Sequence, residues 1–192
     1  MTTIPVPPKT LSQVGRAAQD LGLAGLLGGT LFGRMALHPA VASISDPRER
    51  GEVVNAAWRR YGTVNSLSLG AVTAGWVGAR LAEASDRNLT PAERRLARVK
   101  DGLVGALVVS GVASAVEGVR FARSAPGGAV PLEDGSHAAA AASDGSTRLK
   151  KRLNVLGAVT MAAEVGLVAV NAALAQENFR RPPARRLLKR RS

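Results

Sequence analysis

The sequence predicts an all-α fold, a bundle of four transmembrane helices with a short interfacial helix between the first and the second. Three observations predict it. Apolar residues gather into four blocks (Leu21–Leu37, Gly62–Ala79, Gly102–Val116 and Leu153–Ala175) separated by charge-rich intervals, although the mean hydropathy of the whole chain is only +0.06. Small residues recur every fourth position within each block, and two of the intervals between blocks carry proline-marked helix starts.

Crossing a hydrocarbon core of about 30 Å takes roughly 20 helical residues. The blocks therefore predict spans at about 18–38, 62–82, 100–121 and 153–176, preceded by an N-terminal segment 1–16 and followed by a basic tail 177–192. The second block has 18 residues without a charge, and the fourth has Glu164 as its one charge in 23 residues. A water-soluble bundle needs a polar face every three or four residues. Residues 62–79 offer only Thr63, Asn65, Ser66, Ser68 and Thr73 for one, which is thin.

In the first block Gly25, Gly29 and Gly33 lie four apart; Gly102, Ala106, Ser110, Ser114 and Gly118 repeat the interval in the third, Ala158, Ala162 and Gly166 in the fourth, and Ala71, Gly75 and Ala79 in the second. Such stripes let helices approach closely where lipid supplies no hydrophobic driving force. Helix packing is thus expected along Gly25, Gly29 and Gly33. In "DPRE" Asp46 is placed to cap a helix with Pro47 at its first position and Glu49 reaching back, and "TPAE" repeats this with Thr90, Pro91 and Glu93. The first of these starts is expected to open an amphipathic interfacial helix that ends at Tyr61, with Trp58 and Tyr61 at headgroup level. Residues 124–147 are rich in Gly, Ala and Ser and predict a flexible loop, with His137 solvent-exposed and not a ligand.

Charge narrows the partners. The chain carries 26 Lys and Arg against 14 Asp and Glu, a net charge of +12, which would suit nucleic acid if it formed one stripe. It flanks the apolar blocks instead, and aromatic residues make up only 3%, so no nucleic-acid partner is predicted. With four spans, both termini and the 80–100 connection carry 15 of the Lys and Arg and the opposite face 11, which predicts a bacterial inner-membrane protein with both termini cytoplasmic. The tail "RRPPARRLLKRRS" suits anionic lipid. A secretory signal ending near Ala40-Val41-Ala42 is the competing reading of the N-terminus, but Arg34 and His38 interrupt its approach.

No cysteine is present, which excludes thiolate chemistry and cysteine-held metals. Walker, GxGxxG, HExxH and GxSxG motifs are missing too, so neither a metal nor another cofactor is predicted. What the chain does offer is a few ionisable groups in apolar surroundings, where they are costly and turn inward to partners. Glu164 shares a helix face with Thr160 and Asn171, and Glu117 closes the third block. The predicted site joins His38, Glu164 and Glu117 as the catalytic set with Arg34, Trp58, Tyr61, Asn65, Thr160 and Asn171 as ligand-binding residues. Its function would be a lateral pocket for an amphiphile in which a carboxylate or imidazole moves a proton. The plainer alternative pairs Arg34 with Glu117 or Glu164 for assembly alone.

At "LFGRMALHPA", followed by a helix and "WRRYGTVNSLSLGAVTAGW", the chain resembles small bacterial four-helix membrane proteins grouped with anthrone-oxygenase-like proteins. The resemblance implies a four-helix membrane fold and, for the better-known relatives, oxidation of an aromatic polyketide anthrone without metal or flavin, with His38, Asn65, Trp58 and Tyr61 as the matching positions. The reading of the residues themselves is a membrane protein that binds a hydrophobic small molecule or lipid, alone, as a homo-oligomer or within a larger membrane complex. Its rivals are an accessory subunit of such a complex and an oligomeric transporter component.

Overall fold

The computed structural model describes residues 8–81 and 84–179. The start of the expected N-terminal segment, the last residue of the second expected span and most of the basic tail lie outside them. Four long helices account for most of the described chain: α1 (Pro8–Phe32), α2 (Pro47–Leu81), α3 (Pro91–Arg123) and α4 (Asp144–Phe179). Among the described residues there is no strand, only an isolated antiparallel bridge between Leu132 and Ala138.

The helices run up, down, up and down, and side-chain registers fix each neighbouring pair. Gly22 faces Ser68 and Gly33 faces Trp58 across α1 and α2. Trp76 Nε1 donates to Asp101 (2.8 Å) between α2 and α3. Thr160 Oγ1 lies 2.9 Å from Ser110 Oγ between α3 and α4, and the Thr30 hydroxyl donates to Glu164 (3.2 Å) between α4 and α1. Inside lies a core of Leu23, Leu26, Val72, Trp76, Val104, Leu107 and Leu167.

Helix ends follow from local chemistry. At α3 the expected capping box is complete, with Thr90 Oγ1 accepting from the Glu93 N–H (3.3 Å) and Glu93 accepting from the Thr90 N–H (2.8 Å). At α2 only half of it forms: Asp46 accepts from the Arg48 N–H (2.9 Å), and Glu49 stays exposed. The end of α1 widens into a π-helical turn over Gly33–Leu37, in which the His38 N–H reaches the Gly33 carbonyl. Pro39 explains it, because a proline has no N–H to return to the preceding turn and its ring crowds that turn.

Two expectations are corrected and one is met in part. The interfacial helix is not separate: Pro47–Leu81 is one 35-residue helix, and Gly62 passes without a break because a glycine costs a helix interior only about 1 kcal/mol. Among the described residues, α3 and α4 have the length and composition needed to cross a membrane, so the expectation of four spans is met in part. Their most apolar windows are only 17% and 22% buried within the chain. The 124–147 segment is ordered, since Val130 and Leu132 are fully buried with Val41, Val54 and Phe121 in a second core at the α1–α2 turn. Arg50 pins it, donating to the Ile44 carbonyl (2.6 Å) on one side and the Glu133 carbonyl (2.6 Å) on the other. We call this segment, with residues 38–46, the cap.

The glycine stripe of α1 is used within the chain. A Cβ at Gly33 would fall 2.5 Å from the Trp58 ring and one at Gly29 would overlap the Tyr61 ring, whereas Gly28 on the adjoining face has open space. Overpacking of this kind costs about 1–3 kcal/mol. Gly29→Ala is therefore expected to lower the thermal midpoint of the purified protein while Gly28→Ala leaves it unchanged or raises it; equal losses would show that the rings do not depend on the stripe.

Candidate functional site

Trp58 and Tyr61 stand one turn apart on α2 and lie across the side-chain-free face of α1. The Tyr61 hydroxyl donates to the Gly25 carbonyl (2.5 Å), and the two rings meet edge-on with centroids 6.4 Å apart. Between them and Gly25, Gly28, Gly29 and Phe32 runs a sideways-opening groove of about 320 Å³, also lined by Leu37 and Ala57. No charged side chain lines it. Its α1 wall extends from Ala24 to Leu37, which at 1.5 Å per residue is about 20 Å. Phe32, Met35 and Leu31 beside it, and Val64 and Leu67 on α2, face outward.

His38 closes the cap end of this groove. Its Nε2 lies 3.3 Å from Trp58 Nε1, which can only donate, so Nε2 is the acceptor and the proton of the neutral ring sits on Nδ1, 3.1 Å from Ser136 Oγ. Burial is the main cause that lowers the pKa of His38 from 6.5 to about 4; the Lys150 and Arg34 cations act the same way and Asp134 opposes them. Asp134 is itself held in its ionised form. Desolvation works against that, but the His137 ring and the N–H groups of Ser136 and His137 together outweigh it and lower its pKa. His137 is exposed as expected, yet it anchors Asp134.

The other predicted residues do not assemble into one constellation. Arg34 donates to the Asn154 carbonyl of α4 (3.2 Å) and makes no ion pair with Glu117 or Glu164. Glu117 pairs instead with Arg120 (3.0 Å) and more loosely with Arg152 (3.9 Å), at the cap ends of α3 and α4. Glu164 has no exposure and Thr30 as its hydrogen-bond donor; Asn171 donates to Asp20 (3.3 Å) nearer the opposite end. Thr160, Glu164 and Asn171 do share the inward face of α4. Asn65 is half-buried on α2 one turn beyond Tyr61. His38 and Glu164 thus belong to different levels, about 12 Å apart along α1 as judged from His38 and Thr30, and form no acid–base pair.

Several participants were not anticipated from sequence: Thr30 as the Glu164 donor, Ser136 and Asn154 as the partners that tie the cap to α4, and Gly28 and Ala57 as groove walls. A hydroxyl directly after the Gly28-Gly29 pair of an apolar run was the one signal available for Thr30. No family model matches the chain, and comparison with curated proteins and with solved structures gives no match.

The neutral state of His38 has a consequence for pH. Between about 6.5 and about 4 the unfolded chain holds the His38 proton and the folded chain does not, so the contribution of the neutral ring is whole above 6.5 and is lost as pH falls to 4. The thermal midpoint of the wild type should fall over that interval, and that of His38→Gln, which keeps a neutral acceptor for Trp58, should fall less. Parallel curves would remove His38 from this role.

Proposed function

We propose that this chain is an integral membrane protein that takes a hydrophobic small molecule or a lipid chain from the bilayer into the groove between α1 and α2. The observation that carries the reading is the groove itself: apolar, uncharged, opening to the side, and flanked by Phe32, Met35 and Leu67, which are 64%, 76% and 71% exposed. A water-soluble ligand would gain nothing from such a mouth. An apolar one already in lipid meets it without crossing water.

The outward faces of the helices support the setting. Val109, Val112, Val116 and Val119 on α3 and Val155, Val159, Val165 and Val168 on α4 are all exposed, an apolar surface larger than monomeric soluble proteins carry. In this reading all four helices cross, α1 and α2 being carried by their packing on α3 and α4. The spanning part of α1 ends before His38, whose partners belong to the cap. The Lys and Arg asymmetry of the sequence, 15 against 11, supports an orientation with both termini in the cytoplasm of a bacterial cell.

Within the groove Trp58 and Tyr61 provide aromatic edges and Gly28 the floor. His38 has both ring nitrogens engaged and serves as a latch on Trp58, which favours binding over chemistry at this position. The size of the groove is at the lower end of ligand pockets, about 300–1,000 Å³, and fits one aliphatic chain or a small ring system.

Gly28→Leu should project into the groove and occupy it without a clash at its Cβ, since nothing lies within 4 Å of a Cβ there. A diazirine-bearing fatty acid added to the protein in vesicles is expected to label residues around Trp58 in the wild type and to lose most of that labelling in Gly28→Leu at an unchanged thermal midpoint. Equal labelling of both proteins, or labelling spread evenly over α3 and α4, would contradict the proposal.

A further inference from the structure

A second feature lies where the inward face of α4 meets α3 and, at Glu164, α1. Ser110, Ser114 and Glu117 follow one another at intervals of four and three on α3, and Thr160 and Glu164 at an interval of four on α4, so each set occupies one helix face. The faces meet where Thr160 Oγ1 approaches Ser110 Oγ at 2.9 Å. Three polar atoms of this seam are buried without a hydrogen-bond partner: Glu117 Oε2, Ser114 Oγ and Glu164 Oε2. Buried polar atoms are nearly always satisfied, and a row of unsatisfied ones marks where water or an ion is held.

The row has two different ends. At the cap, Glu117 meets the Arg120 and Arg152 guanidinium groups, whose side chains are 62% and 67% exposed. At the other end Glu164 has no exposure, and beyond it Leu107 and Leu167 are fully buried and Leu103 closes on Gly166. From Glu117 to Glu164 the path is about 16 Å along the helices.

We infer that the α3–α4 seam is a one-sided aqueous path by which protons from the cap side reach and leave the Glu164 carboxyl. In the forward step a hydronium ion at the Glu117 end delivers a proton through the Ser114, Ser110 and Thr160 hydroxyls to a Glu164 carboxylate oxygen, leaving water at the mouth and a carboxylic acid at the blind end. The reverse step returns it by the same route. Of the groups around Glu164, Thr30 of α1 donates to Oε1, Arg34 of α1 is the cation that acts on it, and α3 contributes the hydroxyls and Glu117. The ligand is the proton, and the site is distinct from the groove, which lies between α1 and α2. The inference rests on the membrane reading only in that lipid keeps water from Glu164 by any other route.

The native chain has no cysteine, so single cysteines report without background. Ser114→Cys removes no hydrogen bond, and in the protein reconstituted into vesicles and transferred to D2O its S–H infrared band should react by exchange to S–D at least about tenfold faster than that of Val112→Cys on the outward face, because the exchange needs water at the thiol and nothing larger. An infrared difference spectrum after a pH jump should then contain a carboxyl band that Glu164→Gln lacks and that Ser114→Leu, by plugging the seam, delays. Equal slow reaction of the two cysteines, or a Glu164 band whose rate ignores Ser114→Leu, would overturn the path. If Glu164→Gln folds poorly, the cysteine comparison still decides. Loss of fatty-acid labelling in the groove leaves both readouts untouched, so the two proposals fail separately.

Discussion

The constraint from which the structure follows is the row of exposed valines along α3 and α4. With those side chains outside, the inward faces of α3 and α4 combine apolar Val104, Leu107, Leu167 and Val170 with Ser110, Thr160 and the buried carboxyl of Glu164. Small inward residues bring helices close, and close helices must satisfy each other's polar atoms because no solvent is at hand to do so. The Thr160–Ser110 and Thr30–Glu164 contacts are what such a rule produces.

Close approach is uneven around the bundle. Along α1 the glycine stripe receives two aromatic rings instead of another backbone, and the rings fill it only in part, which is why a groove remains beside Gly28. The same rings connect the groove to the cap: Trp58 touches His38, His38 touches Ser136, and the Ser136 carbonyl accepts from Asn154 of α4 (2.8 Å). A displacement of the Trp58 ring is therefore felt in the α1–α4 contact. The energy in any one of these links is small, about 0.5–1.5 kcal/mol for a neutral hydrogen bond, so the latch holds position more than it holds the fold.

Much of the architecture could be read from the chain because local and global signals agree. Pro47 and Pro91 mark helix starts, the glycines at 25, 29 and 33 mark a packing face, and Thr160, Glu164 and Asn171 mark the inward face of α4. What could not be read depends on sparse or nonlocal information. In residues 124–147 only Val130 and Leu132 become fully buried apolar anchors, two positions in a run whose composition otherwise describes a flexible linker. Gly62 looked like a boundary because glycine weakens helices, but tertiary packing on both sides of it overrides that weakness. The ion pairs went wrong for a similar reason. Glu117 was weighed against the distant Arg34, while Arg120, three residues away on the same helix, was nearer in every sense. Arg34 found a carbonyl instead, at a place fixed by the cap and invisible in sequence spacing.

The proposals for the groove and the polar seam both require lipid as the surrounding solvent, and that can be measured without knowing any ligand. Membranes from cells expressing the intact chain, extracted with alkaline carbonate and floated on a density gradient without detergent, should carry the protein up with the lipid. Recovery of the folded, monodisperse helical protein in the detergent-free supernatant would contradict the account.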